Sequence, residues 1–483
     1  MTDRQTDPPR RLRLNAFTMN VVSHIVQGQW TRPDTRQRDY TSLQPWVELA
    51  GLLERGRFDA VFFADVVGAY DVFEGSRDAA VRNAVQFPVN DPSALIPAMA
   101  LVTEHLGLAF TLSILQEHPF SFARRATTLD HLTDGRVGWN VVTSYLENAA
   151  RNLGYGGLPL HDTRYDRGDE YLDVLYKLWE GSWEDDAVVD DRERGMYADP
   201  AKVHEIGHRG RYYDVVGPHL SEPSRQRTPV LFQAGSSERG REFAARHAEA
   251  TFIAARNVRG ARANVDDLHE RLLRNGRRPE DLLVFQGLTV ITAATEEEAL
   301  RKEREVQEQL SDEGTFAVVS GWLGADLGAV DPDAPVGDLR TNAQEGIIKA
   351  LVESAPDHTW RFKDLVKSIA NQRIVGTAER VADELQEWHE DGGIDGVNLT
   401  YTTTPGSFRD FIDGVVPVLQ ERGIVQREYR EGTFREKLFD GRVGPRLPDR
   451  HPAAQYRRGV GATVPVRRGP QADREVQAAG AAD

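Results

Sequence analysis

Residues 134–154, DGRVGWNVVTSYLENAARNLG, decide how the rest of the chain is read. The stretch opens on an Asp134-Gly135 turn and enters an apolar, β-branched run over 137–143. It leaves that run through a polar group: Asn140, Thr143, Ser144, Tyr145 and Asn148. A strand buried in a parallel sheet reads as a near-continuous apolar run, so polar side chains gathered at its C-terminal end need partners. In barrels and open α/β sheets, that end is where ligands bind. By composition alone, a strand that simply enters a polar loop accounts for the stretch equally well.

Outward from it, short apolar runs alternate with amphipathic ones. Strands are predicted at 12–17, 59–64, 106–113, 229–234, 250–253, 283–291 and 396–399. Helices are predicted at 45–55, 92–104, 120–132, 164–179, 237–247, 377–391 and 408–422, the first with Pro45 in its opening turn. Eight strands interleaved with helices favour an α/β fold, a TIM (β/α)8 barrel, over an open doubly wound sheet. Two segments break the rhythm: 180–227, read as an insertion with a hairpin, and 311–373, read as irregular. Both would suit active-site lids. The barrel is assigned to 12–441, after a flexible N-terminus at 1–11. The Arg-, Pro-, Gly- and Ala-rich tail over 442–483 is read as partly disordered or as an arm over a neighbouring subunit.

The charge balance excludes several classes of partner. The 483 residues carry 59 Lys and Arg against 75 Asp and Glu, a formal net charge of -16, which argues against binding to nucleic acid or an anionic membrane. There is no cysteine, so disulfides and thiolate chemistry are out. The opening MTDRQTDPPRRLRLNAF has no apolar signal core, and no later run approaches the ~20 apolar residues of a membrane span. A cytoplasmic protein is expected.

Some motifs mislead. His204-Glu205-Ile206-Gly207-His208 fits the zinc-protease pattern, but that motif needs a helix to put both histidines on one face. Gly207 and Gly210 interrupt it, and RYYDVV reads as the return strand of a hairpin, so no metal site is expected. No dinucleotide fingerprint or P-loop lysine motif is present, and Gly154-Tyr155-Gly156-Gly157 has the wrong spacing. Glycosidase chemistry needs two carboxylates at strand ends; Asp65 is one and no clear second appears. Residues 233–241, QAGSSERGR, are more informative. A strand ending in a Gly-Ser-Ser turn at a helix start gathers free N–H groups and hydroxyls at a positive dipole end, which suits a phosphate. An ordinary Ser N-cap would look the same. His24 follows the first strand, while Tyr70, Gln86 and Asn90 fall in the loop after the second. A lone His is more often structural, and loop polar residues are usually just solvated.

Together these residues carry a resemblance. The segments FDAVFFAD, ARRATTLDHLTDGRVGWNVVTS, ARNLG, HDTRYDRGDEYL, DPAKVHEIGHRGRYYDVVGP, TPVLFQAGSSERGREFAARHAE, GTAERVADELQEW, DGVNL and PGSFRDFIDGVVPVLQERG resemble the bacterial-luciferase-like, FMN-dependent monooxygenases. The branch is the one with nitrilotriacetate, dibenzothiophene-sulfone and long-chain alkane monooxygenases. ADVVGAYDVF, VQFPVNDP and YKLWEGSWEDDAVV look most like the alkane type. The resemblance implies a barrel binding FMN at its C-terminal strand ends. Asp65, Thr111, Ser113, Asn140, Ser144, Tyr145 and Tyr165 would line the flavin, and Ala234, Gly235, Ser236 and Ser237 would hold its phosphate, with Arg239 a weaker candidate. His24 would give a hydrogen bond or proton to the oxygen-bearing flavin or the substrate, and Tyr70 and Gln86 would line the substrate pocket.

The resemblance further implies a two-component enzyme. Reduced FMN would come from a separate NAD(P)H:flavin reductase, O2 would be the co-substrate, and a small to medium hydrophobic or heteroatom-bearing organic compound would be oxygenated in a homodimer or homotetramer. A deazaflavin-dependent oxidoreductase and a non-catalytic flavin-binding protein are the alternatives. The chain departs from the alkane type at Val21, where those members have cysteine, and at Tyr145 and near Val318, where they have histidines. Tyr145 can still donate a hydrogen bond, yet it titrates near pH ~10 and is a poor proton shuttle.

Overall fold

The computed structural model describes residues 10–331, 333–336, 359–362 and 373–458. Eight parallel strands close on themselves: β1 Arg13–Met19, β2 Ala60–Ala64, β3 Gly107–Ser113, β4 Val137–Val142, β5 Val230–Gln233, β6 Ala250–Ile253, β7 Leu283–Thr292 and β8 Gly396–Thr400. Each pairs with the next, and β8 returns to β1 with Arg13 opposite Gly396. All eight predicted strands are therefore present, and the TIM barrel stands.

Alternation along each strand divides the core in two. Outward side chains meet the helices: Phe63 of β2 lies 5.5 Å from Trp46 on α1, Leu43–Arg55. Trp139 of β4 lies 4.5 Å from the ring of Phe122 on α2, Pro119–Leu132, and 6.0 Å from Tyr171 on α3, His161–Gly181. Its indole N–H donates to the Leu112 carbonyl at 3.1 Å, so the largest buried ring carries no unpaired polar atom. Inward side chains form an aromatic layer of Phe17, Phe62, Phe232 and Phe285. A further ring completes it from beyond the barrel: Phe434 stacks 6.1 Å from Phe232. Gly107 and Gly138 make that possible, because a Cβ on either would come within 2.4 Å or 3.1 Å of the Phe434 ring. Below it, Arg435 is fully buried and pairs with Glu249 at 2.5 Å while donating to the carbonyls of Thr228 and Pro229. The lower end of the barrel is thus plugged.

Several elements differ from the sequence reading. A short strand, Arg373–Gly376, extends the pairing of β7 beyond the barrel proper; four residues are too few to show a period. The segment read as irregular from 311 opens with a helix, α5 Asp312–Leu323, capped by Ser311. Its β-branched residues and internal glycines concealed it. The helix expected over 92–104 stops at Ala100. That expected over 408–422 is interrupted by a wide turn at Phe411–Val415, just before Pro417, which has no N–H to continue the ladder. The first insertion holds two hairpins, Val188–Asp191 with Met196–Ala198 and His208–Arg209 with Asp214–Val215. Residues 442–458 lie back along the barrel, where Arg457 pairs with Glu180 and the His451 ring donates to the His247 carbonyl. The remainder of the tail, most of the second insertion and residues 1–9 lie outside the described residues. Among the described residues, no helix is long and apolar enough to cross a membrane.

Candidate active site

The turn expected to cradle a phosphate follows β5. Residues 234–237 turn into α4, Glu238–His247, and the Ser237 hydroxyl accepts from the Gly240 N–H at 3.0 Å. Two glycines let this backbone close on Tyr165 of α3. A Cβ on Gly235 would sit 2.3 Å from Gln233 Nε2 and 2.9 Å from the Tyr165 hydroxyl; one on Gly240 would be 2.7 Å from the same hydroxyl. Burial raises the pKa of that hydroxyl, with Ser237 and Thr143 opposing the shift. Ala234 and Ser236 remain exposed on the outer lip. Arg239 points elsewhere: it pairs with Asp169 at 2.6 Å and Asp166 at 3.2 Å, lying over the Tyr165 ring. The cradle is therefore made of helix-terminal N–H groups and hydroxyls.

Beside it, the mouth of the barrel carries polar atoms with nothing to bind. Thr111 donates to the Phe63 carbonyl at 2.7 Å, and Asn140 Nδ2 donates to Thr111 at 2.8 Å. That leaves Asn140 Oδ1 buried without a partner, as are Gln233 Oε1 and Asn15 Oδ1. Each such acceptor costs about 1–3 kcal/mol, so a planar ligand with N–H groups at this mouth would relieve a real penalty. Ser113 and Ser144 hydroxyls meet at 2.7 Å, with Ser144 in the left-handed region at φ 64°; such a residue stores on the order of 1 kcal/mol or more of strain. Asp65 follows β2, and burial pushes its carboxyl up to about 7, with Asp91 adding to the shift and the Val66 N–H opposing it. A cleft of about 540 Å³ opens beside it, lined by Val66, Phe87, Asn90, Gln116 and Asn148 among others.

Asp65 also acts on Tyr145, which packs against an apolar cluster, the wall of what is called the chamber. Tyr70 is fully buried; its hydroxyl donates to Gln86 Oε1 at 2.9 Å and meets the Tyr145 hydroxyl at 2.5 Å. Gln86 Nε2 donates to the His24 carbonyl at 3.1 Å. Burial raises both phenols, Tyr145 to about 12. His24 packs edge-on to Phe17 at 4.7 Å with Nδ1 unpartnered, and burial lowers it to about 3, so its ring is neutral at working pH. Val21 and Val318 share one cluster with Tyr70, and Tyr145 packs against it. The three positions that depart from the alkane type thus meet in one place.

Sequence reasoning missed three contributors. Gln233 closes on the cradle, Trp322 of α5 packs against the cluster that holds Tyr70, and Gly321 lets α5 pass so near that a Cβ would lie 2.2 Å from the Tyr70 ring. Gln233 was inside a quoted motif; Gly321 and Trp322 lay in the segment read as irregular. His204 and His208 of the protease-like motif are not helical: His204 pairs with Glu184 at 2.8 Å and His208 with Lys177 at 2.8 Å.

A closed barrel with an anion cradle after its fifth strand and partnerless acceptors at its mouth is built for a phosphorylated, planar, N–H-bearing cofactor, and FMN fits all three. The chain belongs to the luciferase-like monooxygenase family, whose profile matches residues 19–395. It is 51% identical to the long-chain alkane monooxygenase of Geobacillus thermodenitrificans (strain NG80-2), across 93% of this chain and 98% of that one. It is 46% identical to the dimethyl-sulfide monooxygenase of Hyphomicrobium sulfonivorans, across 93% and 94%. Among solved structures, a riboflavin lyase with a modified FMN superposes with a TM-score of 0.87 at 36% identity, covering 93% of this chain and all of that one. The protein is a flavin-dependent monooxygenase that uses reduced FMN and O2; the deazaflavin and non-catalytic readings are not favoured.

Proposed function

We propose that this chain is the oxygenating component of a two-component system, fed with FMNH2 by a separate NAD(P)H:flavin reductase. Its substrate is a small, uncharged organic molecule, a dialkyl sulfide or a hydrocarbon. The observation that carries the substrate class is the chamber itself: Val21 and Val318 beside Tyr70 offer apolar walls where the alkane type has a cysteine and a histidine. A charged substrate would have no partner there.

In this reading Ala234, Gly235, Ser236 and Ser237 hold the phosphate. Asp65, Thr111, Ser113, Asn140, Ser144, Tyr145 and Tyr165 line the flavin. Reduced FMN supplies the electron pair that reduces O2. Asn140 Oδ1 and Gln233 Oε1 accept hydrogen bonds from the bound group, while Phe17 and the valines exclude water. The His24 imidazole, held neutral, gives an N–H hydrogen bond at the reacting centre rather than acting as a cation. Tyr70 and Gln86 shape the far wall. A homodimer or homotetramer completes the proposal, to be read by light scattering.

The test has two stages. Anaerobic titration with FMN and FMNH2 should show saturable binding; no binding of either overturns the cofactor assignment. A substrate screen with a generic flavin reductase should then give product from dialkyl sulfides or alkanes. Turnover of aminopolycarboxylates alone would overturn the substrate class.

A further inference from the structure

The pair of phenols between the chamber and Gln86 has a direction, and the direction can be read from the partners at its far end. The His24 carbonyl can only accept, so the Gln86 amide must turn its nitrogen toward it, as the 3.1 Å contact has it. The Gln86 oxygen then faces Tyr70, and Tyr70 must spend its one proton on that oxygen at 2.9 Å. Two hydroxyl oxygens 2.5 Å apart cannot both lack a proton between them. The proton in that gap therefore belongs to Tyr145. Gln86 cannot easily turn away, because it is buried and held at φ 44°, with its own N–H on the Ser23 carbonyl at 3.1 Å.

We infer that Gln86 is a positioning residue that fixes the direction of the Tyr145–Tyr70 chain, so that Tyr145 faces the chamber as a hydrogen-bond acceptor and never as a donor. Tyr145 still donates, as its residue type allows, but to Tyr70 and not toward the chamber. It rests on the proposed reading that the chamber takes the substrate. The consequence is a filter. A sulfoxide, sulfone or carboxylate oxygen brought to this wall leaves water and gains no donor, whereas a thioether or alkyl chain gives up nothing.

The probes are diethyl sulfide and diethyl sulfoxide, which differ by one acceptor oxygen. Their dissociation constants are measured by calorimetry on the FMN-bound protein without reductant, and on flavin-free protein, for wild type, Tyr145→Phe and Gln86→Met. The sulfoxide-to-sulfide ratio should stay within about twofold of wild type in Tyr145→Phe. In Gln86→Met, Tyr70 is free to turn its proton back, which releases the proton of Tyr145. The ratio should then shift about fivefold in favour of the sulfoxide, the size of one neutral hydrogen bond. A roughly fivefold loss of sulfoxide affinity in Tyr145→Phe would overturn the inference.

A second readout needs no ligand. Infrared difference spectra of ¹³C-tyrosine-labelled wild type and Tyr145→Phe isolate the Tyr145 C–O stretch. A phenol that donates, and loses that character in Gln86→Met, supports the assignment; one that donates to nothing overturns it. Failure to bind FMN would count against the proposed function alone, since the flavin-free and infrared measurements still decide the direction.

Discussion

The two ends of this active site are built by opposite means. The cradle after β5 is made of backbone: a four-residue turn, two glycines and the first N–H groups of a helix, with one hydroxyl from Tyr165 closing it. The chamber around Tyr70 is made of side chains from four separated segments: Val21 and His24, Tyr70 and Gln86, Tyr145, and Val318 to Trp322. A backbone site tolerates change in the rest of the chain. A side-chain site is retuned by single substitutions, which is where the resemblance implies departures from the alkane type, at Val21, Tyr145 and near Val318.

The contrast is open to direct attack. Gly235→Val should weaken FMN affinity about a hundredfold, because its side chain would occupy the space of Gln233 Nε2 and the Tyr165 hydroxyl; fluorescence titration within threefold of wild type would remove the cradle from the site. Gly321→Ala should do the converse, cutting product per FMNH2 about tenfold by displacing Tyr70, while FMN affinity stays within about twofold. A matching loss of flavin would erase the distinction between the two ends. His24→Ala should leave FMN bound and lower product per FMNH2 by about fivefold; a wild-type yield would end its role.

The smallest effect belongs to Asp65. Its folded pKa of about 7 lies above the unfolded value of 3.8, so its ionisation opposes folding. That cost is absent below pH 4, grows as pH rises toward 7 and is complete above it. Asp65→Asn should therefore raise Tm by about 1–3 °C at pH 8 and leave it unchanged at pH 4. A shift of equal size at both pH values would show that the carboxyl is not held protonated. Asp65→Ala should weaken FMN binding severalfold, and unchanged affinity would place Asp65 outside the flavin site.

How much of this was legible in the sequence follows the same division. The barrel strands were, because apolar runs such as FDAVFFA carry their own period and ends. The turn and helix cap after β5 were too, since QAGSSERG is one contiguous motif whose turn, cap and glycines sit within eight residues; its phosphate is part of the proposal. The chamber was legible only as a set of loop residues without a common purpose. Nothing local in Tyr70, Gln86 or Tyr145 states that their polar atoms form one chain, because residue 145 follows β4 while the other two follow β2, and only pairing through β3 brings them together. Gly321 and Trp322 were hidden for another reason: a glycine-interrupted helix rich in valine looks like neither helix nor strand. The direction of the phenol chain needed an acceptor-only carbonyl at its end, which no residue type announces.

The Phe434 plug has a consequence in time. The chain is synthesised from the N-terminus at about 5–20 residues per second, so β8, which ends at Thr400, is made a few seconds before the ring that fills the barrel's lower end. Until then the inward faces of Gly107 and Gly138 border an empty aromatic socket. A nascent chain halted between 400 and 434 would own every strand of the barrel and still lack its floor.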